Sequence, residues 1–284
     1  MSSQSYTYER FNITFPPDHE YVAHVEINRP SKLNAFIEAM WLELSSIFTR
    51  LSTDPAVRAI VLTGAGPKAF TAGLDVHAAS EGTLSTPSST DLDPARKATH
   101  LRRHILEFQH CISSLEKCEK PVLVAMHGFS LGLAIDLSVA ADVRVCTEDV
   151  RFAVKEVDIG LAADIGTLSR LPKVVGSFGW VKEVSLTARE FGAAEALRVG
   201  FVTHVFKDKE AAVQGALALA SRMAGKSPVA VQGTKEFLNW SRDRRVEDGL
   251  RYTAVWNSAA LQTKDVEAAL LSGIQKRKPT FEKL

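Results

Sequence analysis

Two short apolar runs rich in β-branched residues, 21–27 (Tyr-Val-Ala-His-Val-Glu-Ile) and 57–63 (Val-Arg-Ala-Ile-Val-Leu-Thr), flank a segment whose apolar residues recur on a different period. Met40, Leu42, Leu44, Ile47 and Phe48 return at about helical spacing, which predicts a helix over 36–51 between two strands. Strand, helix, strand is the order of α/β folds built on crossover connections, and it rules out most other architectures for this half of the chain. A long helix over 95–117 is predicted from Leu101, Ile105, Phe108, Ile112 and Leu115, and a further strand from the run 121–126. The stretch 78–94 is dominated by Ser, Thr, Gly, Pro and Asp and reads as a mobile loop.

After Val145 the strand-like sequence thins out, and beyond His204 four segments, 209–223, 228–240, 246–259 and 264–277, all read as helices. Ser227 and Pro228 form a start signal, an N-cap hydroxyl followed by proline at the first helical position. The expected organisation is an α/β core over 1–205 and a helical region over 206–284. A chain of 284 residues is near the upper size for one hydrophobic core, and a 45% hydrophobic fraction is ample to fill it.

The net charge of +1, with both signs interspersed, points away from nucleic acid and from a membrane surface as partners. No apolar run approaches the roughly 20 residues that span a bilayer. The first eight residues are polar and lack the pattern of a secretory signal or transit peptide. Cys111, Cys118 and Cys146 follow no metal spacing and suit a reducing compartment as free thiols. His100 and His104 lie four apart on the predicted long helix, but Arg102 and Arg103 beside them oppose a bound cation.

Chemistry concentrates in 155–166, where Glu156 and Asp164 stand eight positions apart among small and apolar residues. Asp136, twenty residues before Glu156, is flanked by apolar residues that carry it towards an interior. Desolvation there raises a carboxyl pKa towards the range in which it exchanges protons near neutral pH. The small residues of Thr71-Ala72-Gly73-Leu74-Asp75 let backbone N–H groups approach a ligand, where they can stabilise a polarised carbonyl; the plainer reading is a tight turn capped by Asp75. Gly128-Phe129-Ser130-Leu131-Gly132 matches a nucleophile elbow, and with Asp158 or Asp164 and then His204 it would give the chain order of an esterase triad. Gly64-Ala65-Gly66 resembles half of a dinucleotide fingerprint, but Pro67 makes it a strand-exit turn.

Several ordered motifs then converge: Asn28-Arg29-Pro30, Leu33-Asn34-Ala35, residues 69–75, Lys120-Pro121-Val122 and His127-Gly128. Together they resemble the crotonase (enoyl-CoA hydratase/isomerase) superfamily over about residues 20–284. The resemblance implies a spiral of ββα turns followed by helices that assemble subunits into a homo-trimer or hexamer. It further implies an acyl-CoA thioester substrate, with coenzyme A part of the substrate and neither metal nor redox cofactor. An oxyanion hole is implied at the N–H groups of Ala72 and Leu133, with Gly73, Leu74, Asp75 and Val76 lining the substrate. Hydratases of the superfamily carry Glu at the positions of Asp136 and Glu156 and Gly at that of Asp164. Asp, Glu, Asp is instead similar to the dienoyl-CoA isomerases, in which Glu156 would take a proton from C2, Asp164 would return one at C6, and Asp136 would orient or polarise the pair. That implies an isomerase of fatty-acid β-oxidation, with a 2-enoyl-CoA hydratase, the Ser130 esterase and a non-catalytic scaffold as alternatives. Gly132-Leu133-Ala134 stands where many members have three glycines, so Leu133 is expected to narrow the acyl pocket. The final Glu-Lys-Leu is near a peroxisomal address, with mitochondrial or cytosolic residence as alternatives.

Overall fold

The computed structural model describes residues 6–81 and 93–284. In chain order its elements begin β1 (Phe11–Thr14), β2 (Val22–Ile27), α1 (Glu38–Thr53), β3 (Ala59–Gly64), β4 (Ala69–Thr71), α2 (Val76–Glu81) and α3 (Pro94–Lys117). They continue with β5 (Val122–Met126), β6 (Phe129–Leu131), α4 (Leu133–Ala140), β7 (Val143–Thr147), β8 (Arg151–Ala153), α5 (Thr167–Val174), α6 (Phe178–Thr187), β9 (Phe191–Gly192) and α7 (Ala193–Arg198). β10 (His204–Phe206), α8 (Lys209–Ala224), α9 (Pro228–Ser241), α10 (Val246–Ala260) and α11 (Lys264–Ile274) complete the chain.

Among the described residues, one sheet runs β1-β2-β3-β5-β7-β10 and a second runs β4-β6-β8-β9. Successive turns of chain place one strand in each: β3 then β4, β5 then β6, β7 then β8, with helices closing each turn. This is a spiral of ββα turns. The strands within each turn series pair in parallel, while β1 and β9 add antiparallel edges. Alternation along the strands divides the interior in two. Val25, Ile27, Ile60, Leu62, Val124 and Met126 point into the main core, which also holds Phe36, Leu44 and Phe48. Val22, Ala59, Val61, Leu123 and Ala125 face the other way, onto Ala216, Leu217, Ala220 and Ala224 of α8. The small side chains of α8 let it lie close on the sheet; the sheet itself runs on through β10.

The elements predicted at 21–27, 36–51, 57–63, 95–117 and 121–126 are present, each displaced by no more than a few residues. The loop expected over 78–94 is shorter: α2 runs to Glu81, Asp93 caps α3 by accepting from Arg96 N–H at 3.0 Å, and 82–92 lie outside the described residues. Strands also continue past Val145, as β8, β9 and β10, which have three, two and three residues. Runs that short carry no readable periodicity. The three cysteines are free and buried. Among the described residues no helix is long and apolar enough to cross a membrane.

Candidate active site

A cavity of about 220 Å³ is lined by the turn after β4, by α1 and α3, by the start of α4 and by the segment after β8. Its floor is a stitched turn. Asn34 is buried, with its Nδ2 donating to Ala65 O and Ala69 O at 2.9 Å and its Oδ1 accepting from Arg29 N–H at 2.9 Å. Arg29 reaches on to Asp75 Oδ2 at 2.7 Å and to Ala35 O at 2.9 Å. That guanidinium holds the Asp75 carboxyl below the usual carboxylate range, and its other oxygen accepts from Ala78 N–H at the start of α2. The Asn-Arg-Pro and Leu-Asn-Ala motifs therefore fasten the 69–75 turn from beneath. His127 anchors the neighbouring crossover through Gly66 O, and Gly128, at φ +52°, passes where a Cβ would collide with Lys68 O.

Backbone pairing decides which N–H groups of this turn are available. Ala72 N–H donates to Leu33 O at 2.9 Å, Gly73 N–H to Thr71 Oγ1 at 3.1 Å, and Asp75 N–H to Phe36 O at 2.8 Å. Leu74 N–H makes no hydrogen bond among the described residues. Ala72, expected as a donor, is committed to the turn, and the open N–H lies two residues on. Gly73 has φ +99°, and a Cβ there would stand 2.9 Å from Leu131 O and 3.7 Å from Leu133 N, so only glycine permits the approach of the two segments. Leu133 opens α4, and its N–H likewise has no acceptor among the described residues. The open N–H groups of Leu74 and Leu133 thus belong to two segments that Gly73 brings together, the second at a helix N-terminus whose dipole favours negative charge. The Leu133 side chain is buried and lines the cavity.

Glu156 and Asp164 line the same cavity, and Asp136 lies buried behind it on α4. Asp136 Oδ1 accepts from Thr167 N–H at 2.6 Å and Oγ1–H at 2.7 Å, while Oδ2 is buried without a partner. Burial, and then the charge of Glu156, push Asp136 up to about 7. Burial also raises Glu156, with Asp164 adding to it, and Glu156 Oε2 too is buried without a partner. Asp164 is exposed as a residue, yet its carboxyl is sunk far enough into the wall for burial to raise it, against the pull of His104. Gln109 of α3 holds the Asp164 main chain, donating to its carbonyl at 2.5 Å. Val76 joins Ala72, Gly73, Leu74 and Asp75 in the lining.

Ser130 is not brought together with a base. It is fully buried in β6, its Oγ 3.5 Å from His127 O, while His204 is exposed on β10 at the edge of the other sheet and Asp158 is paired with Lys155 at the surface. Trp41, His104 and Phe108 form a wall, Trp41 packing against both other rings. Trp41 and Phe108 were missed because their spacing marks them only as core residues, and His104, weighed from the sequence only as a metal partner of His100, lines the cavity instead. Thr167 escaped notice as well, because nothing local to it records the approach of Asp136, thirty-one residues earlier.

The α/β spiral sets two open backbone donors beside a cavity lined by two carboxyls with raised pKa, Glu156 and Asp164, and the enoyl-CoA hydratase/isomerase family profile matches residues 18–283. The chain belongs to that family. Among similar proteins, a mitochondrial Δ3,5-Δ2,4-dienoyl-CoA isomerase of Mus musculus is 46% identical over 283 residues, covering 98% of this chain and 84% of its own length. A peroxisomal Δ3,5-Δ2,4-dienoyl-CoA isomerase of Arabidopsis thaliana is 44% identical over 263 residues, 93% of each chain. The crystal structure of an enoyl-CoA hydratase from Bacillus anthracis superposes with a TM-score of 0.85 at 25% identity, over 96% of this chain and 99% of its own.

Proposed function

We propose that this chain is a Δ3,5-Δ2,4-dienoyl-CoA isomerase acting in fatty-acid β-oxidation. The observation that carries the reading is the placing of Glu156 and Asp164, two acids with raised pKa, on one cavity beside the open N–H groups of Leu74 and Leu133. The thioester oxygen lies on the two N–H donors, which stabilise the negative charge it gains when C2 loses a proton; losing one such donor costs roughly 3 kcal/mol in other enzymes. Glu156, ionised, takes the C2 proton, and Asp164, protonated, returns one at C6, so the 3,5-diene becomes a 2,4-diene. Both steps need carboxyls that exchange protons near neutral pH, which burial supplies. One proton is lost at C2 and another gained at C6 with no net change of oxidation state, so the reaction calls for no redox cofactor, and the two N–H donors take the charge that a Lewis-acid metal would otherwise hold. Leu133 narrows the acyl end, and Leu133→Gly is expected to widen the range of chain lengths accepted.

The resemblance in name and identity to isomerases at 44–46% outweighs that to a short-chain-enoyl-CoA hydratase of Clostridium acetobutylicum at 31%. A hydratase would need both acids on a single water. Peroxisomal residence, as named for the Arabidopsis relative, is the location proposed, with the mitochondrion of the mouse relative as the alternative that a tagged chain expressed in cells distinguishes. Exposed apolar residues on α9, α10 and α11, among them Leu238, Leu250, Val255, Leu270 and Ile274, support assembly of copies into a trimer or hexamer.

The test is to mix the protein with a 3,5-dienoyl-CoA and follow the ultraviolet band of the 2,4-dienoyl thioester, with 2-enoyl-CoA hydration run in parallel. Growth of the band, lost in Glu156→Gln, is expected. Hydration with a flat dienoyl trace would transfer the assignment to hydratase.

A further inference from the structure

Asp136 ends a line of contacts that the proton shift does not itself use. Both donors to its Oδ1 come from one residue, Thr167, at 2.6 and 2.7 Å, in the first turn of α5. α5 is in turn fastened to α3: Arg170 Nε and Nη2 donate to Glu116 Oε2 at 3.1 and 2.8 Å, and Nη2 also donates to Ser113 Oγ at 2.8 Å. Gly166, which leads into α5, has φ +154°, and a Cβ there would meet the flexible end of Arg170 and lie at ordinary contact distance, 3.7 Å, from Asp136 Oδ1. Among the described residues two buried carboxyl oxygens are without partners, Asp136 Oδ2 and Glu156 Oε2.

We propose that Thr167 is the positioning residue of this carboxylate pair: by holding Asp136 Oδ1 with two donors it leaves Oδ2 as the oxygen free to take up a proton, and so sets the pH at which Asp136 loses its charge beside Glu156. A charged Asp136 strengthens Glu156 as a base, because removing a proton from C2 then relieves repulsion between two carboxylates; a neutral Asp136 does not. The groups that face Asp136 are Glu156 and, from α5, Arg170, with Glu116 of α3 behind it. β4 and β6, also packed on α4, bring no titratable side chain. Burial and Glu156 raise Asp136, while Thr167 and Arg170 draw it down. Removing the hydroxyl donor therefore moves the proton affinity upward.

Only the kinetic consequence rests on the isomerase reading, so the first test needs no substrate. Infrared titration of the free enzyme would follow the protonated-carboxyl band that Asp136→Asn deletes. That band is expected to titrate near neutral pH in the native enzyme, about one unit higher in Thr167→Val, a tenfold gain in proton affinity, and close to the native position in Thr167→Ser. An unchanged midpoint in the valine variant, or a serine variant displaced as far as valine, would overturn the proposal. If the valine variant does not fold, a native midpoint in the ordinary carboxylate range overturns it equally. With 3,5-dienoyl-CoA, the inflection of kcat/KM against pH is expected to move with the band while KM stays within about twofold. Absence of dienoyl turnover would count against the isomerase reading and leave the infrared result standing.

Discussion

Asp136 is raised to about 7 in the folded chain, whereas an aspartate in an unfolded chain titrates near 3.9. Between those values the native state holds a proton that the unfolded state has released, so this residue makes stability fall as pH rises through the window. Asp136→Asn removes the term. Relative to the native protein it is expected to gain on the order of 3 kcal/mol between pH 4 and pH 8, read as the urea midpoint at each pH. Identical pH dependence in the two proteins would show that Asp136 is not held protonated. The acids were legible in the sequence because a carboxyl among apolar residues has few uses besides proton exchange. Of the two donors, Leu133 was expected and keeps an open N–H, but the other was misplaced: which of Ala72 and Leu74 has a free N–H depends on pairing with Leu33 and Phe36, some forty residues earlier, and no local pattern records it.

Among the elements, α9 docks through an unusual contact. Lys235 is buried, and its ammonium meets Asp142 at 2.8 Å and the carbonyls of Lys120 and Leu115 at 3.0 and 3.3 Å. Asp142 also accepts from Val122 N–H at 2.7 Å, so the pair ties α9 to the start of β5. Lys235→Met would strand a buried carboxylate and is expected to cost about 3 kcal/mol, measured by chemical denaturation; a loss under about 0.5 kcal/mol would mean that the pair is solvated. The helices were readable from period and caps, as Ser227 accepting from Ala230 N–H at 3.2 Å illustrates. The second sheet was hidden, because β4, β6, β8 and β9 are two or three residues long and exist through their neighbours rather than through their own sequence.

For the whole molecule, the exposed apolar residues of α9 to α11 suit the assembly of identical chains proposed above, and sedimentation at micromolar concentration is expected to return the three or six copies that the family resemblance implies. A monomer would contradict it. The central claim is that one proton leaves C2 for Glu156 while another arrives at C6 from Asp164. Turnover of a 3,5-dienoyl-CoA in D2O, with the deuterium located by NMR, tests it most directly. The account predicts a 2,4-dienoyl product labelled at C6, and for Asp164→Asn no such product but continued exchange of the C2 protons through Glu156. Product formed without label at C6, or made at the native rate by Asp164→Asn, would contradict it.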